Sequence, residues 1–218
     1  MRFFDALLGR SRPVAAKLDR LFGLPGAAVT LEASEGLVTT GEAAVCFKPA
    51  VGQGFAATED ELAELLTAGP SDATAGASPS ATTDLRRETD AYGYRWVVVR
   101  AADPDELVTR VHFVNSTLED HGYGPQLLCS VFAFRPQAGG GGGGGGGVGA
   151  VARAGRADRA GAYLVYLFKR GSFYPFVPRG HEQRDNEAEL RLKALLGEDL
   201  AIEPELDRWF PLWDLPIA

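Results

Sequence analysis

Nine glycines in a row, residues 139–147, limit the fold of this chain more than any other feature. Glycine loses more backbone freedom on ordering than any other residue, so such a run does not hold a fixed conformation cheaply. It lies between two apolar stretches, 126–135 (QLLCSVFAFR) and 162–170 (AYLVYLFKR), both rich in strand-forming residues. The glycines and the Ala/Arg/Gly mixture around them, 137–160, are therefore read as a disordered insert distending a hairpin connection. Closure entropy grows slowly enough with loop length to tolerate it. A phosphate-cradling loop is rejected, because that needs a Gly-rich turn leading into a helix with a Lys-Ser/Thr pair behind it.

A second flexible segment is expected at 68–83 (AGPSDATAGASPSATT), which is small, polar and without periodicity. The rest divides into elements. Short helices are expected at 2–9 and 14–22, the second ended by Pro25-Gly26. Strands are expected at 27–32 (AAVTLE), 43–48 (AAVCFK) and 94–101 (YRWVVVRA), with an acidic helix at 59–67 between the last two. The best-marked helix follows Asp103-Pro104-Asp105-Glu106, which supplies an N-cap, a proline at the first position and a glutamate three after the cap. Its stripe is Leu107, Val111, Val114 and Leu118, and Gly122 stops it. A late helix spans 185–196, with Leu190, Leu192, Leu195 and Leu196 as apolar positions. A final helical turn begins near Pro204.

The order α-β-β-α-β-α-β-β-α lacks strict βαβ alternation. It predicts an α+β fold, with a mostly antiparallel sheet and helices packed largely on one face. One domain over 1–218 is expected, since the N-terminal part has too few strands to cover itself.

Hydrophobic residues make up 45% of the chain, enough for a real core. The net charge of −7 argues against a general nucleic-acid binder, which needs a basic surface. No apolar run approaches a membrane span. Asp5 and the following arginines spoil a signal peptide, so the start reads as that of a cytoplasmic protein.

Chemistry-bearing residues are sparse. Cys46 and Cys129 lie in apolar runs and read as buried thiols, with a disulfide between them left open. His112, His121 and His181 are scattered and show no metal-ligand or hydrolase motif. Carboxylate runs at 59–64, 182–189 and 198–207 read as solvated helix faces. No catalytic, cofactor or metal site is expected. The rival reading is a small hydrolase using Cys129 with a histidine, or a carboxylate pair in a cleft.

Three segments remain. The stretch 163–178 (YLVYLFKRGSFYPFVP) is dense in aromatic rings around a Lys169-Arg170-Gly171 turn. It reads either as a core hairpin or as a partner surface, since aromatics and arginine favour interface centres. The tail 208–216 (RWFPLWDLP) carries too much apolar mass to stay free, and self-docking is the expected outcome. At the N-terminus, Phe3, Phe4, Leu7 and Leu8 share a face among five cations and two aspartates. Such a helix suits either its own sheet or an anionic membrane.

The segments MRFFDALLGRSRP, YGYRWVVV, NSTLEDHGYGPQLLCSVFAF, VYLFKRGSFYPFVP and RDNEAELRLKALLGEDLAIEPELDRWFPLW together resemble the PspA-associated PspAB family. The resemblance runs over nearly the whole chain and implies a cytoplasmic accessory protein of the phage-shock envelope-stress response. It brings no catalytic residues with it. The expectation is a non-enzymatic binder of a PspA-type coiled-coil protein, peripheral at the inner face of the membrane. Its contact surface would be Phe173, Tyr174 and Phe176 flanked by Lys169 and Arg170, with Phe3, Phe4, Leu7 and Leu8 as a second patch toward membrane or partner.

Overall fold

The computed structural model describes residues 17–49, 86–137 and 161–217. The helices expected at 2–9 and 59–67, the segment 68–83, the glycine insert beyond Gln137, and Phe3, Phe4, Leu7 and Leu8 all lie outside the described residues. The described elements are a 3-10 turn at Leu18–Gly23, then α1 (Leu24–Glu35), β1 (Leu37–Phe47), β2 (Arg86–Thr89), β3 (Arg95–Arg100), α2 (Pro104–Leu118), β4 (Leu127–Pro136), β5 (Ala162–Leu167), β6 (Ser172–Phe176) and α3 (Asn186–Leu196). A small ribbon of β7 (Pro178–Gly180) and β8 (Gln183–Arg184) lies before α3. The six-stranded sheet has the order β2-β3-β1-β4-β5-β6, and every named pairing in it is antiparallel. The α+β expectation holds.

Residues 27–32 are not a strand. They lie inside α1, which Pro25 opens rather than follows. Proline suits the first helical positions, where its missing N–H bonds nothing. Leu24, Ala27, Ala28, Leu31 and Glu35 then fall on one buried face at helical spacing. Gly36, with φ +64°, ends the helix and turns the chain into β1. That strand starts six residues before its expected position at Ala43. Its first half bends through a register break between Thr39 and Ala43, where Gly41 has φ +77°. A Cβ there would also meet the Ala101 carbonyl oxygen at 2.8 Å.

The three described helices pack on one face of the sheet. Leu107, Val108, Val111, Val114 and Leu118 of α2 join Leu21, Leu31, Val45, Val97, Phe132, Leu164 and Leu196 in one core. Asp103 caps α2, accepting hydrogen bonds from the backbone N–H groups of Asp105 (2.9 Å) and Glu106 (3.1 Å). Asp103→Ala is expected to cost about 1 kcal/mol in denaturant unfolding. In α3 the apolar stripe departs from expectation. Ala188 and Glu189 take buried positions, and Leu190 is exposed.

Among the described residues no helix covers the opposite face. There Ala44, Cys46, Trp96, Val98, Cys129, Val131, Val165, Tyr174 and Phe176 pack with Trp209 and Ile217 of the C-terminal tail. This explains why Val97–Val98–Val99 is a continuous apolar run: the central strands are buried on both sides.

Candidate functional site

The β5–β6 hairpin carries the residues expected to meet a partner, and the structure separates them. Lys169 and Arg170 stand exposed at its tip. Phe173, Tyr174 and Phe176 are essentially inaccessible, at 0%, 1% and 0% exposure. The expected ring-bearing contact surface is therefore corrected to core. β6 is the last strand of the sheet, yet it is enclosed on three sides. Phe173 faces the helices and packs on Tyr166, ring centroids 5.0 Å apart. Tyr174 and Phe176 face the tail, against Trp209 (5.9 Å) and Trp213 (5.1 Å). The outer edge is taken by residues 201–203: the Phe173 N–H donates to Ala201 O (2.8 Å) and the Glu203 N–H to Phe173 O (2.7 Å).

The tail, after a 3-10 turn at Leu206–Arg208, runs across the sheet without regular structure and is tied down at successive points. Tyr174 Oη donates to Phe210 O (2.8 Å), Arg184 to Trp209 O (2.6 Å), and Trp209 Nε1 to Glu203 O (3.1 Å). Tyr163 and Arg86 bond the carbonyls of Ile217 and Pro216. Self-docking of the tail is thus what the geometry shows. Phe210 alone of its large apolar side chains stays exposed, at 59%.

Glu203, 1% exposed, is the polar centre of this arrangement. Its carboxylate accepts from Arg170 Nε (2.7 Å), Ser172 Oγ (2.7 Å) and the Glu205 N–H (3.3 Å). Burial would raise its pKa, but those donors and the Arg170 charge outweigh burial and hold it below the usual glutamate range. A carboxyl depressed in the fold stabilises it above its unfolded pKa of about 4.3 and loses that contribution as pH falls through the lower folded value. Acidification below about pH 4 is therefore expected to loosen the tail, read as a change in tryptophan emission, with the strap intact at neutral pH.

Around the hairpin tip cations gather, with Arg170 paired to Glu203 (2.7 Å) and Glu205 (3.7 Å). Lys17 and Arg20 from the start of the described chain join Lys169 and Arg170. Arg20 donates to Gly171 O (2.7 Å), and Tyr166 Oη donates to Lys17 O (2.8 Å). Gly171 is required there: its φ is +64°, and a Cβ would lie 2.7 Å from Lys17 Cβ. Sequence reasoning marked Lys169 and Arg170 but not their junction with Lys17 and Arg20, which is made across about 150 residues of chain.

The thiols and histidines do not converge. Cys129 lies on the tail-covered face, whereas His112 rides α2 on the other side of the sheet and packs its ring against Phe22 at 5.2 Å. His121 bonds its own helix at Thr117 O (2.7 Å). Among the described residues no group of three or more His, Cys, Asp or Glu side chains is placed to hold a metal ion. An open cleft of about 670 Å³ beside the β1 bend has Arg135 and the Glu42–Arg100 pair (2.7 Å) on its walls. No helix among the described residues is long and apolar enough to cross a membrane.

Comparison with curated proteins and with solved structures finds no match. The family model described as PspA associated protein B matches residues 1–217. The chain belongs to this PspAB family, and its family name links it to PspA as an associated, accessory protein.

Proposed function

We propose that the protein is a non-enzymatic binding partner of a PspA-type coiled-coil protein, acting in the envelope-stress response at the cytoplasmic face of the membrane. The observation that carries this reading is the basic hairpin tip. Lys17, Arg20, Lys169 and Arg170 gather on one corner of a chain whose net charge is −7. Locally concentrated charge steers association and orients a partner, and it does so most strongly when the rest of the surface repels it. The surface complementary to this tip is an acidic helical face. The chain enters the described fold at Lys17, at the same corner. In this reading Phe3, Phe4, Leu7 and Leu8, which share a face by sequence spacing, form the second patch, directed to an anionic membrane or to the partner.

The aromatic rings of β6 take no part, since they are committed to the core. The hydrolase alternative has no support from the placement of Cys129 relative to His112, on opposite faces of the sheet.

The double variant Lys17→Glu/Lys169→Glu reverses charge at two exposed positions while leaving the Arg170–Glu203 pair in place. Its co-purification with the PspA protein of the same cells is expected to fall by about tenfold or more, and that of wild type to weaken with added salt. Undiminished capture of PspA by the double variant, or no PspA with wild type, overturns the proposal.

A further inference from the structure

The two cysteines, 83 positions apart in the chain, are brought directly opposite each other, Cys46 on β1 against Cys129 on β4. Both are reduced and buried, and both belong to the face beneath the tail. Directly opposed residues of an antiparallel pair have Cα atoms about 4.5–5.5 Å apart, inside the range of about 4.4–6.8 Å that a disulfide spans. Side-chain rotation, without a change of register, is therefore enough to join them.

The surroundings explain why the pair rests as thiols. The hydrogen bond with Cys129 first, then burial, then the neighbouring Cys129 and Asp90 charges, all push the Cys46 thiol up, so the nucleophilic thiolate is scarce while the face is closed. Exposure is 3% for Cys46 and 7% for Cys129. Trp209 and Ile217 complete the apolar cover. The cover is a strap without strand or helix pairing of its own beyond Arg208, held by a handful of hydrogen bonds to carbonyl oxygens. Segments of that kind open locally, well below the free energy of global unfolding.

We propose that Cys46 and Cys129 are a redox modification site, forming a reversible intramolecular disulfide by exchange with low-molecular-weight disulfides when the C-terminal strap lifts. One cysteine loses its proton to solvent, and its thiolate attacks a sulfur of the small disulfide. That S–S bond breaks, one small thiolate leaves, and a mixed disulfide remains. The second cysteine, deprotonated in turn, attacks the protein-side sulfur and expels the other small thiolate. The protein dithiol gives up two electrons and two protons, and the small disulfide ends as two thiols. The bridge joins two central strands beneath the strap, so its formation alters the seat of Trp209 and with it the fit of the tail.

The test uses the full chain incubated with oxidised glutathione to constant composition, followed by intact mass and thiol titration after denaturation. Expected are a loss of about 2 Da, a fall from two free thiols to none, and a monomer on a non-reducing gel. Dithiothreitol should restore both thiols. Tyr174→Phe removes only the hydroxyl that holds Phe210 O and keeps the ring stack on Trp209, so it loosens the strap without opening the core. It is expected to speed bridging several-fold. Retention of both thiols, a stable glutathione adduct on one cysteine, or an interchain dimer overturns the site. A bridging rate unchanged in Tyr174→Phe and in Trp209→Ala overturns the gating by the strap.

Discussion

Trp209→Ala lowers the unfolding free energy by about 3–5 kcal/mol in denaturant titration, the largest loss expected of any single truncation in the tail. The indole is 4% exposed. It stacks on Tyr174 at 5.9 Å with an interplanar angle of 21°, lies under Lys193 Nζ at 5.7 Å, and donates Nε1 to Glu203 O. Removing it deletes a large buried apolar surface and orphans a carbonyl. The sheet face below cannot collapse to fill the gap, because its strands are locked in register on both sides. A companion effect follows: with its anchor gone the tail frays, and the remaining emission, from Trp96 and Trp213, shifts to the red as Trp213 is exposed. A loss below about 1 kcal/mol would mean that the tail does not seal this face.

Glu203→Ala is expected to cost about 2–3 kcal/mol, by a different route. Three donors converge on this carboxylate, and two of them come from the hairpin. Ser172, 6% exposed, is left with a buried unpaired hydroxyl. Arg170 is more than a third exposed and recovers water, so its share of the loss is small. Glu203→Gln keeps the shape and an acceptor oxygen but not the charge. It should recover roughly half of the loss and abolish the acid sensitivity of the tail. Equal stability of Glu203→Ala and wild type at pH 7, measured by urea unfolding, contradicts the network.

Much of the fold was readable from local patterns. The α2 helix is marked at its start by an aspartate cap and proline and along its length by apolar spacing, and the structure agrees at both; its regular part ends at Leu118, and Gly122, with φ +85°, breaks the π-helical turn Glu119–Tyr123 that follows. β4 and β5 were evident from their composition, and their antiparallel pairing across the glycine insert is as expected. What misled was the six-residue window 27–32. A short Ala/Val/Leu run satisfies strand and helix templates alike, and only the wider frame from Leu24 to Glu35 separates them. Pro25 was ambiguous for the same reason, since proline both ends one helix and begins another.

The candidate surface was legible only in part. The hairpin and its Lys169-Arg170 tip were evident, but the exposure of the rings behind them was not. Aromatic density is equally high in a core edge strand and in an interface, and the difference lies in what covers the strand. Here the cover comes from residues 201–217, and no local pattern links that segment to β6.

From the sequence alone came the element types of the longer segments, the α+β class, the apolar character of the tail and the pairing of the strands that flank the glycine run. Those follow from periodicity and backbone entropy, which act over a few residues. Only the tertiary structure decided that the sheet has two covered faces, that Cys46 meets Cys129, that Lys17 and Arg20 join the hairpin tip, and that Phe173, Tyr174 and Phe176 are core. These depend on contacts between residues tens to over a hundred positions apart, chosen by the burial of whole faces rather than by any neighbour in the chain.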